Sequence, residues 1–417
     1  MDRPVQARSR LNGWPSPRGY SFRVLPQTLA PTERVATPDA SHRPPRLTLL
    51  DGLRFLAALA VVGYHFTAIK TPVWGEPTTS LFPVLHQVTR YGYLGVDLFF
   101  FISGFVILMT AWGRELPAYV GSRVARLFPG YWAGVLLTGG LLLVVPNVSG
   151  KDVTIPQVIT NLTMLHEPNG VNHVDGVYWT LWVEMRFYLL VGLLMLVGLT
   201  RQRVLAFATL WPVVAALAAT TEQAFVSELL IAHWAPYFAA GMLLYLVHRE
   251  GWSPLLGGLV GLQVVLAMTK AADYAHIIQR KTGGEAKSLV AMAVVLLCFA
   301  AVALVTTTRL QHVRWRLATT LGLLTYPLYL VHEYWGLYVI SKLSGSLPRL
   351  VVLLVAVLFV LGLAWLVNRF VERPLAPLVR RWVTQGLRAP AQSTGAASEQ
   401  TGAPAEHTGA SAARTTT

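Results

Sequence analysis

Residues 50–66 read LDGLRFLAALAVVGYHF, an apolar run interrupted by one acid, one arginine and one histidine. A helix needs about 20 mainly apolar residues to cross a bilayer, and this run with its neighbours is long enough. A charged side chain near the middle of such a helix costs about 2.5 kcal/mol or more on insertion scales. Arg54 and His65 therefore need either partners inside the protein or a function.

Arg54 and His65 are predicted to share one face of this helix. Eleven helical steps of about 100° leave the two side chains roughly 20° apart, with about 16 Å of rise between them. Arg54 then lies near the cytoplasmic surface, and His65 lies about halfway across the membrane. An arginine on the same face favours a functional histidine over a histidine that only packs between helices.

The rest of the chain repeats the pattern of long apolar runs. Of its 417 residues, 54% are hydrophobic and 13% are charged, and the mean hydropathy is +0.49. Soluble domains carry about 25% charged residues. The sequence therefore predicts an all-α, polytopic membrane protein, a bundle of about ten transmembrane helices in a lipid bilayer. The predicted segments are residues 50–70, 92–112, 127–146, 177–199, 204–220, 229–248, 254–270, 288–307, 317–341 and 349–371.

The distribution of charge predicts the orientation. The 34 Lys and Arg residues outnumber the 20 Asp and Glu residues, which gives a net charge of +14. A basic balance also occurs in nucleic-acid-binding proteins, but here the cations flank apolar helices and concentrate on one side. We therefore expect a multi-pass protein with both termini in the cytoplasm and no nucleic-acid partner. Arginine exceeds lysine by about 28 to 6, a bias typical of GC-rich bacterial genomes, so the expected location is the bacterial cell membrane.

Composition divides the chain into three regions. Residues 1–47 are rich in Arg, Pro and Ser and are expected to form a disordered basic cytoplasmic leader rather than an export signal. Residues 48–376 form the membrane domain, and residues 377–417 form a cytoplasmic low-complexity tail. The longest outer loop, residues 147–176, is expected to hold a short interfacial helix over residues 155–165.

Two acidic residues lie inside other apolar segments. Glu184, in YWTLWVEMRFYLL, is predicted roughly 10 Å below the outer surface, at a depth that His65 also reaches. The alternative is that Glu184 simply pairs with Arg186 or another buried cation. Asp97, in GYLGVDLFFFISGFVI, lies near the outer end of its helix and has no such explanation.

The same second helix carries small residues near its centre. Gly95 and Gly104 permit close packing between helices, which is their simplest interpretation. Ser103 lies beside Gly104 and is a candidate for contact with a bound substrate.

A pair of arginines follows in SRVARLFPGYW. Arg123 and Arg126 are three residues apart and lie on one side of a helical turn, where they can hold phosphates. Arginines at the cytoplasmic start of a helix also serve membrane topology alone, and this alternative stays open.

The ninth predicted helix contains TYPLYLVHEYW, in which polar residues interrupt the apolar pattern. His332 is either a second polar residue of a cavity or a hydrogen-bonded contact between helices. The other polar residues of this segment are Tyr326, Tyr329 and Glu333.

Other common signatures are missing from the sequence. It contains no G-x-S-x-G elbow, no phosphate-binding Walker loop and no H-E-x-x-H zinc motif. The one cysteine, Cys298, lies in an apolar run and is expected to be a small core residue. No metal site is predicted.

Six motifs in this order resemble those of acyltransferase family 3, integral membrane proteins that move acetyl or other short acyl groups onto hydroxyls of sugars, glycans and some macrolide antibiotics. The resemblance covers roughly residues 47–374. Its pieces are LDGLR with the following His65, GVDLFFFISGFVI, RVARLFPGYW, WTLWVEMRFYLL, LTYPLYLVH and VERP.

The resemblance implies a bundle of about ten helices, a donor acyl-CoA such as acetyl-CoA that enters from the cytoplasm, and His65 as the catalytic residue. It also implies that Glu184 supports the site and that Arg123 and Arg126 hold the donor's phosphates. The donor-binding residues expected on this basis are Arg54, Arg123, Arg126 and Ser103.

The chemistry of these residues agrees with that expectation. A neutral histidine inside the membrane can remove a proton from an acceptor hydroxyl as a general base. A carboxylate, Glu184 or Asp97, would orient His65, and no metal is required. An acyl-histidine intermediate is a second route that the sequence leaves open.

The main alternative is a proton-coupled membrane transporter or flippase, because buried His, Glu, Asp and Arg residues also form proton relays. The arginines near the cytoplasmic surface favour a large phosphorylated donor over an ion path. The acceptor is expected to be a sugar, a glycan or a macrolide-type metabolite.

Overall fold

The computed structural model describes residues 47–396, with side chains described to residue 388. The predicted leader, apart from Leu47, and residues 397–417 of the predicted tail lie outside the described residues. Within residues 47–396 the chain forms helices and no strand. The helices are α1 (Thr48–Thr67), α2 (Thr78–Leu81), α3 (Pro83–Thr89), α4 (Gly95–Ala111), α5 (Leu116–Val144), α6 (Ile155–Leu162), α7 (Trp179–Val197), α8 (Arg201–Thr220), α9 (Ala224–Leu229), α10 (Ala235–Glu250), α11 (Pro254–Thr282), α12 (Ser288–Thr307), α13 (Arg316–Leu343), α14 (Arg349–Val367) and α15 (Arg373–Ala396).

Eight helical segments of the described chain are long and apolar enough to cross a membrane. They are α1, α3 continued into α4, α5, α7, α8, α11, α12, and α14 continued into α15. Helices α10 and α13 pack inside the same bundle, α10 against α4 and α13 against α1 and α14. The prediction of an all-α polytopic membrane protein is therefore confirmed, and each of the ten predicted segments overlaps a helix.

Several helices are longer than their apolar runs predicted. Helix α5 begins at Leu116 rather than at residue 127, and α11 ends at Thr282 rather than at residue 270. Hydrophobicity marks only the part of a helix that lies in hydrocarbon, and a helix continues into water where nothing breaks it. Helix α11 ends where Gly283 adopts a φ of 75°, a conformation that favours glycine.

The helix ends form two layers. In one layer, the Thr48 hydroxyl donates to the Val313 carbonyl oxygen at 2.7 Å. In the other layer, the Lys70 amide donates to the Lys281 carbonyl oxygen at 2.9 Å. We call the layer that contains Thr48 the N-terminal side and the layer that contains Lys70 the opposite side.

Glycines bring α4 into close contact with its neighbours. A Cβ atom on Gly104 would lie 2.1 Å from the Phe238 carbonyl oxygen of α10, and one on Gly95 would lie 2.5 Å from the Ala57 carbonyl oxygen of α1. Because a larger residue at either position would overlap a backbone, glycine fixes the separation between these helices. This is the close packing that the sequence suggested for both residues.

The loop after α5 and the last helix complete the bundle. Thr154 caps α6, which covers most of the predicted interfacial helix, and forms a capping box with Gln157.

Helix α15 packs on the start of α5, where Gly121 leaves room for Thr384. Residues 377–396, which the sequence analysis placed in the tail, are therefore helical in the structure.

Candidate active site

Two cavities lie between the helices at the centre of the bundle. The first has a volume of about 300 Å³ and is lined by residues of α1, α4, α5, α7 and α13, among them Arg54. The second has a volume of about 170 Å³ and is lined by His65 and by residues of the opposite side. We call them the arginine cavity and the histidine cavity. Val96 and Tyr329 line both.

The arginine cavity gathers three cations from two helices. Arg54 comes from α1, and Arg123 and Arg126 come from the N-terminal half of α5. The guanidinium of Arg123 lies 5.5 Å from the Tyr188 ring, and that of Arg126 lies 4.9 Å from the Tyr326 ring. Aromatic faces hold guanidinium groups in place by cation–π attraction, so these arginines are positioned for an anionic ligand.

Glu184 and Ser103 lie in the same cavity. The Glu184 carboxylate accepts hydrogen bonds from the Tyr188 hydroxyl at 2.7 Å and from the Ser103 hydroxyl at 3.3 Å. It also lies close enough to Arg54 to interact with its charge. The structure thus brings five of the seven predicted site residues together, but it places Glu184 with the arginines and not beside His65.

Arg186 does not pair with Glu184, so of the alternative partners of that acid only another buried cation, such as Arg54, remains. The guanidinium of Arg186 binds both the side chain and the backbone carbonyl oxygen of Glu228. It also lies 5.4 Å from the Trp182 ring. Arg186 is therefore satisfied outside the arginine cavity.

His65 and His332 form a hydrogen-bonded pair whose partners assign their protons. Nδ1 of His332 lies 2.8 Å from the Tyr329 carbonyl oxygen and 3.2 Å from that of Leu328. A carbonyl oxygen only accepts, so this Nδ1 carries a hydrogen, and Nε2 of the neutral His332 ring accepts. That Nε2 lies 3.0 Å from Nδ1 of His65, which also lies 3.0 Å from the Val61 carbonyl oxygen. Nδ1 of His65 is therefore the donor, and its Nε2 keeps a free lone pair.

The free Nε2 of His65 faces a carboxyl group. Oε2 of Glu333 lies 3.9 Å from it, and both side chains line the histidine cavity. This distance is too long for a hydrogen bond, but it is short enough for the carboxylate to stabilise a protonated imidazole. Oε2 of Glu333 is buried and has no hydrogen-bond partner among the described residues.

A second carboxyl group approaches Glu333 from the loop before α7. Asp175 is buried, and its Oδ1 accepts a hydrogen bond from the Val177 amide at 3.2 Å. A Cβ atom on Gly176 would lie 2.6 Å from Oε2 of Glu333, so only glycine lets this loop reach the carboxyl group. Burial, and next the neighbouring Glu333, raise the pKa of Asp175 well above its ordinary range.

Asp97 lies elsewhere. It is 2% exposed, lines neither cavity, and has one carboxylate oxygen without a hydrogen-bond partner among the described residues. Its surroundings are the aromatic residues Tyr93, Tyr237 and Tyr274. The structure therefore offers Glu333, and not Asp97 or Glu184, as the carboxyl group next to His65.

The sequence pattern did not predict the contacts among His65, His332, Glu333 and Asp175. Of the two alternatives for His332, the structure shows the hydrogen-bonded contact between helices, and its partner is His65. The only signal for Glu333 was its position next to His332 in an apolar segment, and Asp175 had none. Among the described residues, no group of three or more His, Cys, Asp or Glu side chains is placed to hold a metal ion.

The fold and the two cavities define a polytopic membrane protein with buried polar side chains between its helices. Comparison with known families makes the class specific: the chain belongs to the family described as Acyltransferase domain, whose model matches residues 48–369 of the 417. The resemblance noted in the sequence analysis is therefore confirmed.

Three curated relatives match parts of this region. The chain is 30% identical over 150 residues to Acyltransferase MdmB of Streptomyces mycarofaciens, a match that covers 34% of this chain and 38% of MdmB. It is 25% identical over 161 residues to Peptidoglycan O-acetyltransferase OatA of Listeria monocytogenes, covering 34% of this chain and 23% of OatA. It is 33% identical over 107 residues to Exopolysaccharide production protein ExoZ of Rhizobium meliloti, covering 23% and 32%. The matches span well under two thirds of each of these relatives, and no solved structure matches the chain.

Proposed function

We propose that this protein is a membrane-embedded O-acyltransferase that moves an acetyl or other short acyl group from acyl-CoA to a hydroxyl of a carbohydrate or a glycosylated metabolite. Membership of the acyltransferase family supports the reaction class. The observation that carries the proposal is the free Nε2 of His65, which faces a cavity and is fixed in one tautomer by His332 and the Val61 carbonyl oxygen.

The arginine cavity is the proposed donor site. Arg123 and Arg126 can bind the phosphates of CoA through charge-assisted hydrogen bonds, as guanidinium groups do where planar anions are recognised. Arg54 is separated from His65 by about 16 Å of helix rise, so it contacts the CoA portion of the donor and not the reacting carbonyl group. The extended arm of CoA is long enough to place the thioester near His65 while its phosphates stay with the arginines.

In this proposal the N-terminal side faces the cytoplasm of a bacterial cell, because acyl-CoA is made there. The acceptor then enters the histidine cavity from the opposite side. The excess of cations that the sequence predicts on the cytoplasmic side supports this orientation.

His65 is the proposed general base. Its Nε2 takes the proton of the acceptor hydroxyl as the oxygen attacks the thioester carbonyl, and the carboxylate of Glu333 stabilises the resulting imidazolium. The tetrahedral intermediate then releases the CoA sulfur, which takes the proton from His65. Transfer through an acyl-histidine would use the same Nε2, and in that case a labelled acyl group would stay on the protein when the acceptor is withheld.

The test is a comparison of strains. A strain lacking this gene is complemented with the wild-type chain, with His65→Ala, or with His276→Ala, a matched control because His276 is exposed on α11. Mass spectrometry of surface glycans and secreted small molecules should find a molecule that gains one acyl group with the wild type and the control, but not with His65→Ala.

The opposite result would overturn the proposal. If the three complemented strains were alike and all differed from the deletion strain, the function would not depend on His65. The transporter or flippase alternative would then explain the buried charges better, and the purified protein should be indifferent to acyl-CoA.

A further inference from the structure

The arginine and histidine cavities meet at two side chains. Val96 of α4 and Tyr329 of α13 line both cavities, and they are the only described residues that do. The two cavities therefore adjoin at this pair, and the shortest path from one cavity to the other runs past Val96 and Tyr329. We call this pair the neck.

The Tyr329 side of the neck is held rigidly. The Tyr329 hydroxyl shares a hydrogen bond with the Thr180 hydroxyl at 3.0 Å and donates at 3.4 Å to the Val177 carbonyl oxygen. The Phe99 ring lies edge-on to the Tyr329 ring at a centroid distance of 5.7 Å. These contacts come from α4, from the start of α7 and from Val177 just before it, so the ring has partners on two sides and is held in place.

The Val96 side is fixed by backbone packing. The preceding residue, Gly95, leaves no room for a side chain between α4 and the Ala57 carbonyl oxygen of α1. Because the backbones touch here, the position of α4 against α1 is fixed, and the Val96 side chain borders both cavities. Valine also has a single strongly preferred side-chain rotamer in a helix.

The neck lies next to the proposed base. The Tyr329 ring is 5.8 Å from the His332 ring, which is 5.0 Å from the His65 ring. On the shortest path, a donor whose phosphates stay with Arg123 and Arg126 therefore brings its acyl group through the neck to reach His65.

We infer that the neck selects the acyl group by its width, with Val96 as the residue that determines specificity. A straight, narrow acyl group passes between Val96 and Tyr329, whereas an acyl group branched next to the carbonyl does not. The inference rests on the proposed function and adds to it the kind of acyl-CoA that the site accepts.

The test uses the purified full-length protein with acetyl-CoA, butyryl-CoA or isobutyryl-CoA as donor, and an extract of glycans and metabolites from the deletion strain as acceptor. Wild-type protein should transfer acetyl and butyryl groups and discriminate against isobutyryl. Val96→Ala should raise the isobutyryl-to-acetyl ratio of kcat/KM by about tenfold or more, because one methyl group of shape complementarity is worth 10-fold or more in such a pocket.

Two further variants separate the neck from general loosening of the core. Val96→Ile should lower transfer of isobutyryl further and leave acetyl transfer measurable. Val295→Ala removes the same two methyl groups from a buried valine of α12 that lines neither cavity, and the ratio should stay at the wild-type value.

The outcomes are distinct. An unchanged ratio in Val96→Ala, or an equal change in Val295→Ala, would overturn the neck while acetyl transfer by the wild type still supported the proposed function. Absence of transfer from every donor by the wild type would overturn the proposed function and the neck together.

Discussion

Nε2 of His332 lies 3.0 Å from Nδ1 of His65, although the two residues are 267 positions apart in the chain. The second histidine holds the first in the tautomer that leaves its Nε2 basic. The sequence predicted a carboxylate as the partner of His65, but the structure has the neutral imidazole of His332 in that position. The histidine pair therefore carries no net charge in the middle of the bundle until it takes up a proton.

The first prediction concerns the hydrogen bond between His65 and His332. His332→Ala removes one of the two acceptors of Nδ1 of His65 and leaves only the Val61 carbonyl oxygen, so the ring is less firmly oriented and kcat should fall by roughly 100-fold or more. His332→Gln restores an acceptor and should recover part of that loss. The measurement is steady-state transfer from acetyl-CoA, and equal rates for His332→Ala and wild type would show that His65 needs no orienting partner.

Glu333 should act through its charge. Glu333→Gln keeps the size of the side chain but removes the carboxylate 3.9 Å from Nε2 of His65, so kcat should fall by about 10- to 100-fold while KM for acyl-CoA changes little. Glu285→Gln changes an exposed acid on the same side of the bundle and serves as the control. A rise in KM without a fall in kcat would assign Glu333 to binding.

The arginine pair can be tested without disturbing membrane orientation. Arg123→Lys and Arg126→Lys keep the positive charges at these positions but cannot make the bidentate contact proposed for the phosphates of the donor. Each should raise KM for acyl-CoA by about tenfold, whereas Arg349→Lys, at the exposed first residue of α14, should not. Wild-type KM values in both lysine variants would leave topology as the only role of the pair.

The loop before α7, which carries His166 and His173, should make the protein less stable at acidic pH. Nε2 of His166 lies 2.6 Å from Nδ1 of His173, whose Nε2 lies 3.1 Å from Glu167. Burial, and next the neighbouring His173, lower the pKa of His166 from 6.5 to about 4. Between these two pH values the unfolded chain binds more protons than the folded one, so the free energy of unfolding should fall as the pH drops from 6.5 to about 4.

Thermal unfolding in detergent as a function of pH measures this effect. His166→Gln cannot take up a proton, so its unfolding midpoint should depend less on pH over the same range than that of the wild type. Identical pH dependence in the two proteins would mean that His166 does not contribute.

Gly104 should be intolerant of substitution. In Gly104→Ala the new methyl carbon would lie 2.1 Å from the Phe238 carbonyl oxygen, so α4 and α10 must separate, at a cost of about 1–3 kcal/mol or more. Gly140→Ala is the matched control, because nothing lies within 4 Å of its added carbon. Unfolding midpoints in detergent should fall for the first variant only, and equal midpoints would contradict the close packing.

Sequence pattern alone predicted the helices and the separation of Arg54 from His65, because both follow from apolar run length and helical geometry. It also placed Arg123 and Arg126 together, since three residues make nearly one turn. For Glu184 it gave a depth in the membrane but not a direction. Depth is read from the position along a helix, whereas the direction of a side chain depends on how the helix is rotated against its neighbours, and Glu184 turned toward Ser103 and Tyr188.

The contacts of His65 could not be predicted for the same reason. His332 reaches it from a helix near the other end of the chain, and Asp175 reaches Glu333 from a loop with no periodic pattern. Such contacts follow from tertiary packing, for which a single sequence contains no local signal.

Helix α10 shows that a helix buried inside a membrane protein does not need the length or the hydrophobicity of a helix in contact with lipid. It has 16 residues, about 24 Å in length, which is shorter than the roughly 30 Å of a bilayer's hydrocarbon, and residues 235–247 are all buried by other helices. Its sequence is therefore constrained by its neighbours and not by lipid. A change of Gly241 to leucine would make this segment more hydrophobic and easier to recognise as a span, yet the new side chain would overlap the Phe101 carbonyl oxygen of α4, and the folded protein would lose the contact that holds α10 in place.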